Sequence, residues 1–225
     1  MIKIRILLRI YLQMLFQDFL YLTMLFSIIV FGLTADHLLE ISSIKKFSLL
    51  LVAIFFLALF STMNLYHKDK IYNRYLKQKI DSYWSEVGAQ IIAALIINLV
   101  SGVLIFLFSN IADGDLLMDV IGIVSLIAVG FLGSAIATLF KTQWYRHASL
   151  GQIGTLVLVY LALSGSVIQV LSYAEVIWPP LSKMIVTLQR EASITALLPV
   201  AGQTFAYALV LFLISSFIYR KKKKS

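Results

Sequence analysis

The composition of the sequence and the pattern of its apolar runs predict an all-α polytopic membrane protein with six transmembrane helices. Of its 225 residues, 60% are hydrophobic and 13% are charged, and the mean hydropathy is +0.92. Soluble domains average about 45–50% apolar and about 25% charged residues. The apolar residues fall into runs of about 20, the length that crosses ~30 Å of hydrocarbon. We therefore expect one transmembrane domain over residues 1–225 and disfavour a water-soluble enzyme.

The first 17 residues predict an interfacial helix ahead of the first span. Arg5, Arg9, Gln13 and Gln17 recur every four residues, with apolar residues between them. This spacing places the polar groups in one stripe of a helix. Such a helix lies in the headgroup region before the chain turns into the membrane. A plain cytoplasmic extension of span one is the alternative.

Six apolar spans follow, and none of them contains Asp, Glu, Lys or Arg between its ends. A charge at the bilayer centre costs about 2.5–3.5 kcal/mol, so this absence is the strongest membrane signal in the chain. Backbone groups inside lipid must bond internally, which makes spans of this length helical. The spans are 19–35, 47–65, 88–108, 120–140, 148–171 and 197–219.

The loop cations predict the orientation. With both termini on one side, 15 of the 19 Lys and Arg residues fall on that side and four on the other. The positive-inside rule therefore places both termini in the cytoplasm. The RKKKK run at residues 220–224 is read as an anchor on anionic lipid. The formal charge of +8 is then a topology signal, and no nucleic-acid partner is expected.

The longest cytoplasmic piece, residues 67–86, predicts a short amphipathic helix because it contains no Gly or Pro that would force a break. Its apolar face is supplied by Ile71, Tyr72, Tyr75 and Leu76. Its polar face is supplied by Lys70, Arg74, Lys77 and Asp81. Aromatic residues and Arg are favoured anchors in interfaces, so this helix suits docking into a partner groove. Packing of the helix on the membrane, or a solvated basic loop, remains open.

The segment 173–197 predicts one or two short re-entrant helices on the outer side. Pro179 and Pro180 break any continuous helix. The flanking stretches, VIW and LSKMIVTL, are too apolar for a plain solvated loop and too short to cross the membrane. Trp178 is expected at the interface. A partly buried loop is the alternative.

The sequence offers no catalytic constellation. Cysteine is absent, and His37, His67 and His147 fall in three separate loops. Paired carboxylates are missing from the spans, which argues against a proton relay. Gly151 to Thr155 lacks the lysine and spacing of a phosphate-binding loop. We therefore expect no catalytic, cofactor or metal site, and no enzyme activity, in this chain.

Uncharged polar residues inside the spans are the candidates for a substrate path. Bonds between neighbouring helices are the alternative role for such groups. The candidates are Asn98, Ser101, Gln169, Gln203 and Thr204. Small residues spaced four apart in spans four and five, such as Gly130 and Ser134, predict close helix packing within the subunit or a dimer seam.

The layout of an interfacial helix, six spans, a helical loop after span two and re-entrant helices before span six resembles the type-2 permease subunits of bacterial ABC exporters. The resemblance implies a bacterial plasma-membrane protein that pairs with a second permease copy or homologue and with a cytoplasmic ABC ATPase. ATP and Mg would be held by that ATPase. The substrate would be amphipathic or hydrophobic: a peptide, an antibiotic or a lipid-like molecule. By resemblance, the coupling helix would dock through Asp69, Lys70, Arg74, Leu76, Lys77 and Asp81.

Two other functions are compatible with the sequence. The first is a membrane scaffold or assembly factor without a transport cycle. The second is a secondary transporter or channel, which ranks third because such proteins usually carry intramembrane ionisable groups or broken helices in matching halves.

Overall fold

A computed structural model describes residues 2–39, 42–72, 83–109, 116–143, 148–165, 178–191 and 193–224. All regular structure in these ranges is helical, which confirms the all-α prediction. The helices are α1 (Ile2–Phe16), α2 (Phe19–Leu39), α3 (Ser43–Tyr72), α4 (Tyr83–Phe108), α5 (Leu116–Gln143), α6 (Ala148–Ser164), α7 (Leu181–Glu191) and α8 (Leu197–Lys224).

Several of these helices are long and apolar enough to cross a membrane. Four of them qualify within the described ranges: Ser43–Asp69, Tyr83–Phe108, Leu116–Leu139 and Leu197–Phe217. They correspond to predicted spans two, three, four and six. The pair Lys3–Phe16 and Phe19–Ala35 passes the same test together, bent by 59° at the break between them. The shorter apolar helix Ile153–Ser164 covers the first part of predicted span five. The fold is therefore that of a multi-pass membrane protein, with four or five of the six predicted spans long enough in the described ranges.

The two ends of the predicted loop helix at 67–86 are part of the neighbouring helices α3 and α4. Helix α3 continues beyond the predicted end at Leu65 to Tyr72, and α4 begins at Tyr83. No Gly or Pro lies between Leu65 and Tyr72, so nothing in the sequence ends the helix at the membrane boundary. Residues 73–82, the middle of the predicted coupling helix, lie outside the described ranges.

Helix α1 has the predicted polar stripe. Arg5, Arg9, Gln13 and Gln17 are all exposed. On the opposite face, Leu7, Tyr11 and Leu15 are 0–2% exposed because α1 packs on α4. The helix therefore buries its apolar face against protein and turns its cationic face outward.

Helix α5 is the centre of the bundle, between α3 and α8. Every residue from 131 to 138 is buried. A Cβ on Gly133 would lie 2.5 Å from the Phe55 carbonyl oxygen, so glycine is what allows α3 and α5 to approach this closely. On the other side, the Phe131 ring lies 4.9 Å from the rings of both Phe205 and Phe212 on α8.

The helix ends gather at two ends of the bundle. The end where α2 and α4 begin and α3, α5 and α8 end is called the basic end. There Lys68 contacts Asp18 at 2.8 Å, and the Tyr83 hydroxyl on α4 donates to the Ser216 carbonyl on α8. At the opposite, distal end, Ser109 abuts Gly32. Helices α2 to α5 thus alternate in direction through the bundle, and which end faces the cytoplasm stays a prediction.

Helix α7 lies at the distal end, in the segment where a short re-entrant helix was predicted. It follows Pro179 and Pro180 and packs against α3, α6 and α8. Leu181, Met184 and Leu188 are fully buried, whereas the last turn at residues 189–191 is exposed. A short amphipathic helix after the proline pair is therefore present, and residues 166–177 lie outside the described ranges.

Candidate functional site

A polar junction joins three helices in the middle of the bundle. The Asn98 side-chain nitrogen donates to the Ser134 hydroxyl at 2.9 Å and to the Ala94 carbonyl at 2.7 Å. The Thr62 hydroxyl donates to the same Ser134 oxygen at 3.0 Å. This junction therefore links α3, α4 and α5 through one hydroxyl group. Hydrogen bonds of this kind between membrane helices are worth about 0.6 kcal/mol on average.

A glycine on α5 makes room for this amide. A Cβ on Gly130 would lie 2.6 Å from the Asn98 Oδ1 atom. Asn98 itself is 2% exposed. The asparagine is thus enclosed between α4 and α5, and a larger residue at position 130 would displace it.

A second polar contact lies one turn further along α5, toward the basic end. The Tyr66 and Thr138 hydroxyls are 2.7 Å apart, and Thr138 also donates to the Ser134 carbonyl at 2.9 Å. Because a hydroxyl has one proton, Tyr66 is the donor to Thr138. The Asn98 junction and this contact form one polar line along the α3–α5 interface.

Ser101 is bonded to α2. The Tyr21 hydroxyl lies 2.9 Å from the Ser101 oxygen, and Ser101 donates to the Ile97 carbonyl at 2.8 Å. Tyr21 is therefore the donor to Ser101. Both side chains are 1% exposed. This contact ties the first membrane helix to α4.

Thr204 is buried between α7 and α8. Its hydroxyl donates to the Val200 carbonyl at 2.7 Å and lies 3.4 Å from the Met184 sulfur. Gln203, the residue before it in the chain, is half-buried. Gln169 lies outside the described ranges. Of the substrate-path candidates, Asn98, Ser101 and Thr204 thus make bonds within the bundle, as the helix-packing alternative requires, and their path role stays a prediction.

The basic end holds buried acids that sequence reasoning did not single out. Asp18 is 4% exposed and accepts from the Asn64 side-chain nitrogen at 2.7 Å and from Lys68 at 2.8 Å. Glu86 is 7% exposed and accepts from Gln90 at 3.3 Å. The sequence signal for Asp18 is that it is the one acid among the first 35 residues.

The predicted coupling residues fall partly within the described ranges. Asp69 lies in the last turns of α3 and is 1% exposed, so it is packed inside the bundle in this state. Lys70 is also in α3. The remaining predicted contacts, Arg74, Leu76, Lys77 and Asp81, lie outside the described ranges. Partner binding through this loop stays a prediction.

Within the described residues, no group of three or more His, Asp and Glu side chains is placed to hold a metal ion. The described interior is lined mostly by neutral hydroxyl and amide groups. Its charged members are the Asp18–Lys68 contact and the buried Asp69 and Glu86 at the basic end, and the buried Lys46 near the distal start of α3. Such groups bond helices together and bind polar parts of ligands.

Comparison with protein-family models, with curated proteins and with solved structures gives no match.

Proposed function

We propose that this chain is the permease subunit of an ATP-driven ABC exporter, with six spans and both termini in the cytoplasm of a bacterium. It pairs with a second permease copy or homologue and with a separate ATPase. The cargo is amphipathic or hydrophobic: a peptide, an antibiotic or a lipid-like molecule. The observation that carries the proposal is the bent pair of α1 and α2, with an outward cationic stripe at one end of an apolar bundle and a short amphipathic helix, α7, at the other.

Charge placement supports the orientation. Lys3, Arg5 and Arg9 of α1 and Lys68 of α3 all belong to helix segments at the basic end. Anionic headgroups attract such cations by about 1 kcal/mol each. The basic end is therefore the one that suits the cytoplasmic face, where an ATPase and its nucleotide are available.

The buried bonds support a path between two copies of the chain. Asn98, Ser101 and Thr204 are each at most 2% exposed and hydrogen-bonded within the bundle. Opening a path through the bundle would break these bonds. Passage at the interface between two permeases leaves them intact and requires only that packed helices move as rigid bodies.

Purification of the tagged chain from native membranes in mild detergent tests the proposal. We expect an ATP-hydrolysing subunit to be retained, and its activity to rise with an amphipathic peptide. The double substitution Arg74→Ala and Leu76→Ala should reduce retention and export. The matched control is Gln189→Ala with Arg190→Ala, on the exposed last turn of α7 at the distal end.

A chain that purifies without any ATPase activity would overturn the exporter proposal and favour a scaffold. Retention and export that are unchanged by the Arg74 and Leu76 substitutions would exclude this loop as the docking element.

A further inference from the structure

The break between α1 and α2 is held by one carboxylate. Helix α1 ends at Phe16, α2 begins at Phe19, and the two are bent by 59°. Asp18 lies in the break, and its backbone carbonyl accepts the first backbone hydrogen bond of α2, from the Leu22 N–H at 3.0 Å. The residue that begins the first membrane helix therefore also carries the charge at the bend.

Both oxygens of this carboxylate are bonded to α3. Oδ2 accepts from Asn64 at 2.7 Å, and Oδ1 accepts from Lys68 at 2.8 Å. Asn64 and Lys68 are four residues apart, so they present two donors from one face of a helix. A carboxylate held by an ammonium and an amide is fixed in direction as well as in position.

The carboxylate itself is buried, whereas its cationic partner is not. The Asp18 side chain is 5% exposed and the Lys68 side chain 35% exposed. A buried charge requires its partners, because water does not replace them. The Asp18 carboxylate therefore depends on its two donors on α3, and the angle between α1 and α2 depends on the same contacts.

We propose that Asp18 is a positioning residue that latches the bend between α1 and α2 to the basic end of α3. With the latch closed, α1 is held on α4 through Leu7, Tyr11 and Leu15. With the latch open, α1 pivots about residues 17 and 18. Lys68 lies five residues before the segment 73–82, so a pull on that segment reaches α1 through the latch; this last step rests on the proposed function.

Spin labels test the latch directly, because the chain has no cysteine of its own. Ile6→Cys on α1 and Phe60→Cys on α3 are both 44% exposed. Ile6 lies 12 residues before Asp18, about 18 Å along a helix at 1.5 Å per residue, so a pivot moves it far. The distance between the labels is measured in lipid nanodiscs without nucleotide or partner.

In the parent, we expect the distribution of label–label distances to have one narrow peak. In Asp18→Asn, we expect a second population of distances to replace that single peak. The exchanged pair Asp18→Lys with Lys68→Asp should restore the narrow peak. Asp119→Asn, a half-buried carboxylate at the distal end, is the matched control and should leave the peak unchanged. Lys68→Gln, which keeps a donor toward Asp18 but removes the charge, provides a second opening variant should Asp18→Asn fail to fold.

An unchanged narrow peak in the opened variants would overturn the latch and leave Asp18 a stabilising residue only. In a complex with the ATPase, ATP should shift the label distance in the parent, and Asp18→Asn should abolish the shift. A parent distance that ignores ATP would overturn transmission to α1. Failure to retain any ATPase would overturn the proposed function, while the measurement without nucleotide still decides the latch.

Discussion

The side-chain nitrogen of Asn98 on α4 lies 2.9 Å from the hydroxyl oxygen of Ser134 on α5, and that oxygen also accepts a bond from α3. The Ser134 hydroxyl therefore fixes the positions of α3, α4 and α5 relative to one another. In lipid, where apolar helix surfaces gain little by leaving the solvent, such bonds and close packing hold a bundle together. The register of the central helices is thus fixed by uncharged groups.

Removing this amide should weaken the bundle. We expect Asn98→Ala to lower the free energy of unfolding by about 0.6 kcal/mol, and at most about 1.7 kcal/mol, the range of such bonds in membrane proteins. Denaturation of the purified protein by SDS in mixed micelles measures this. Ser27→Ala is the control, because that exposed hydroxyl bonds only the Thr23 carbonyl of its own helix. Equal losses in the two variants would contradict the junction.

A methyl group on Gly133 should separate α3 from α5. Its Cβ would meet the Phe55 carbonyl oxygen, which is backbone and cannot rotate away. Overpacking of this kind costs about 1–3 kcal/mol. Gly202→Ala on α8 is the matched control, since nothing lies within 4 Å of a Cβ there. We expect the unfolding midpoint to fall for Gly133→Ala and to hold for Gly202→Ala, and the reverse order would refute the close approach.

The Asp18–Lys68 contact predicts an asymmetry in stability. Lys68→Met leaves a carboxylate that is 5% exposed with one neutral donor, and a stranded buried charge costs about 3–5 kcal/mol. Asp18→Asn leaves an ammonium that is 35% exposed and reaches water along its flexible stem. Thermal unfolding in detergent should therefore show the larger loss for Lys68→Met. A larger loss for Asp18→Asn would show that the carboxylate is less confined than its burial indicates.

The two ends of the bundle should react on opposite sides of the membrane. Gln13→Cys lies on the exposed face of α1 and Gln189→Cys on the exposed end of α7. Under the proposed orientation, a membrane-impermeant maleimide added to whole cells should modify only the cysteine at position 189. Permeabilised cells, in which both positions should react, provide the control. Labelling of position 13 in intact cells would contradict the proposed topology.

The sequence predicted the features that depend on local pattern. Spans two, three, four and six were found because long runs without charge have no other stable place than lipid. The stripe of Arg5, Arg9 and Gln13 was found because its four-residue spacing matches one helical face. The short helix after Pro179 and Pro180 was found because proline fixes where a helix stops and allows one to begin.

The features that depend on packing register were not predictable from the sequence. Asn98 and Ser134 were visible in the sequence as a polar and a small residue, but their contact with each other and with Thr62 depends on how three helices are rotated and shifted. Asp18 escaped notice because it lies between two predicted elements, and its partners are 46 and 50 residues away. The predicted span 47–65 lies inside the longer helix α3, whose last turns are polar and contain nothing that breaks a helix.

The central position of α5 constrains how the chain is made. Its Phe131 side is covered by Phe205 and Phe212, which belong to α8 and are synthesised after α5, α6 and α7. During synthesis, this side of α5 therefore stays uncovered until α8 has been made. A product truncated before residue 197 would leave the Phe131 side of α5 permanently uncovered. Such a product should be a substrate for membrane quality-control proteases.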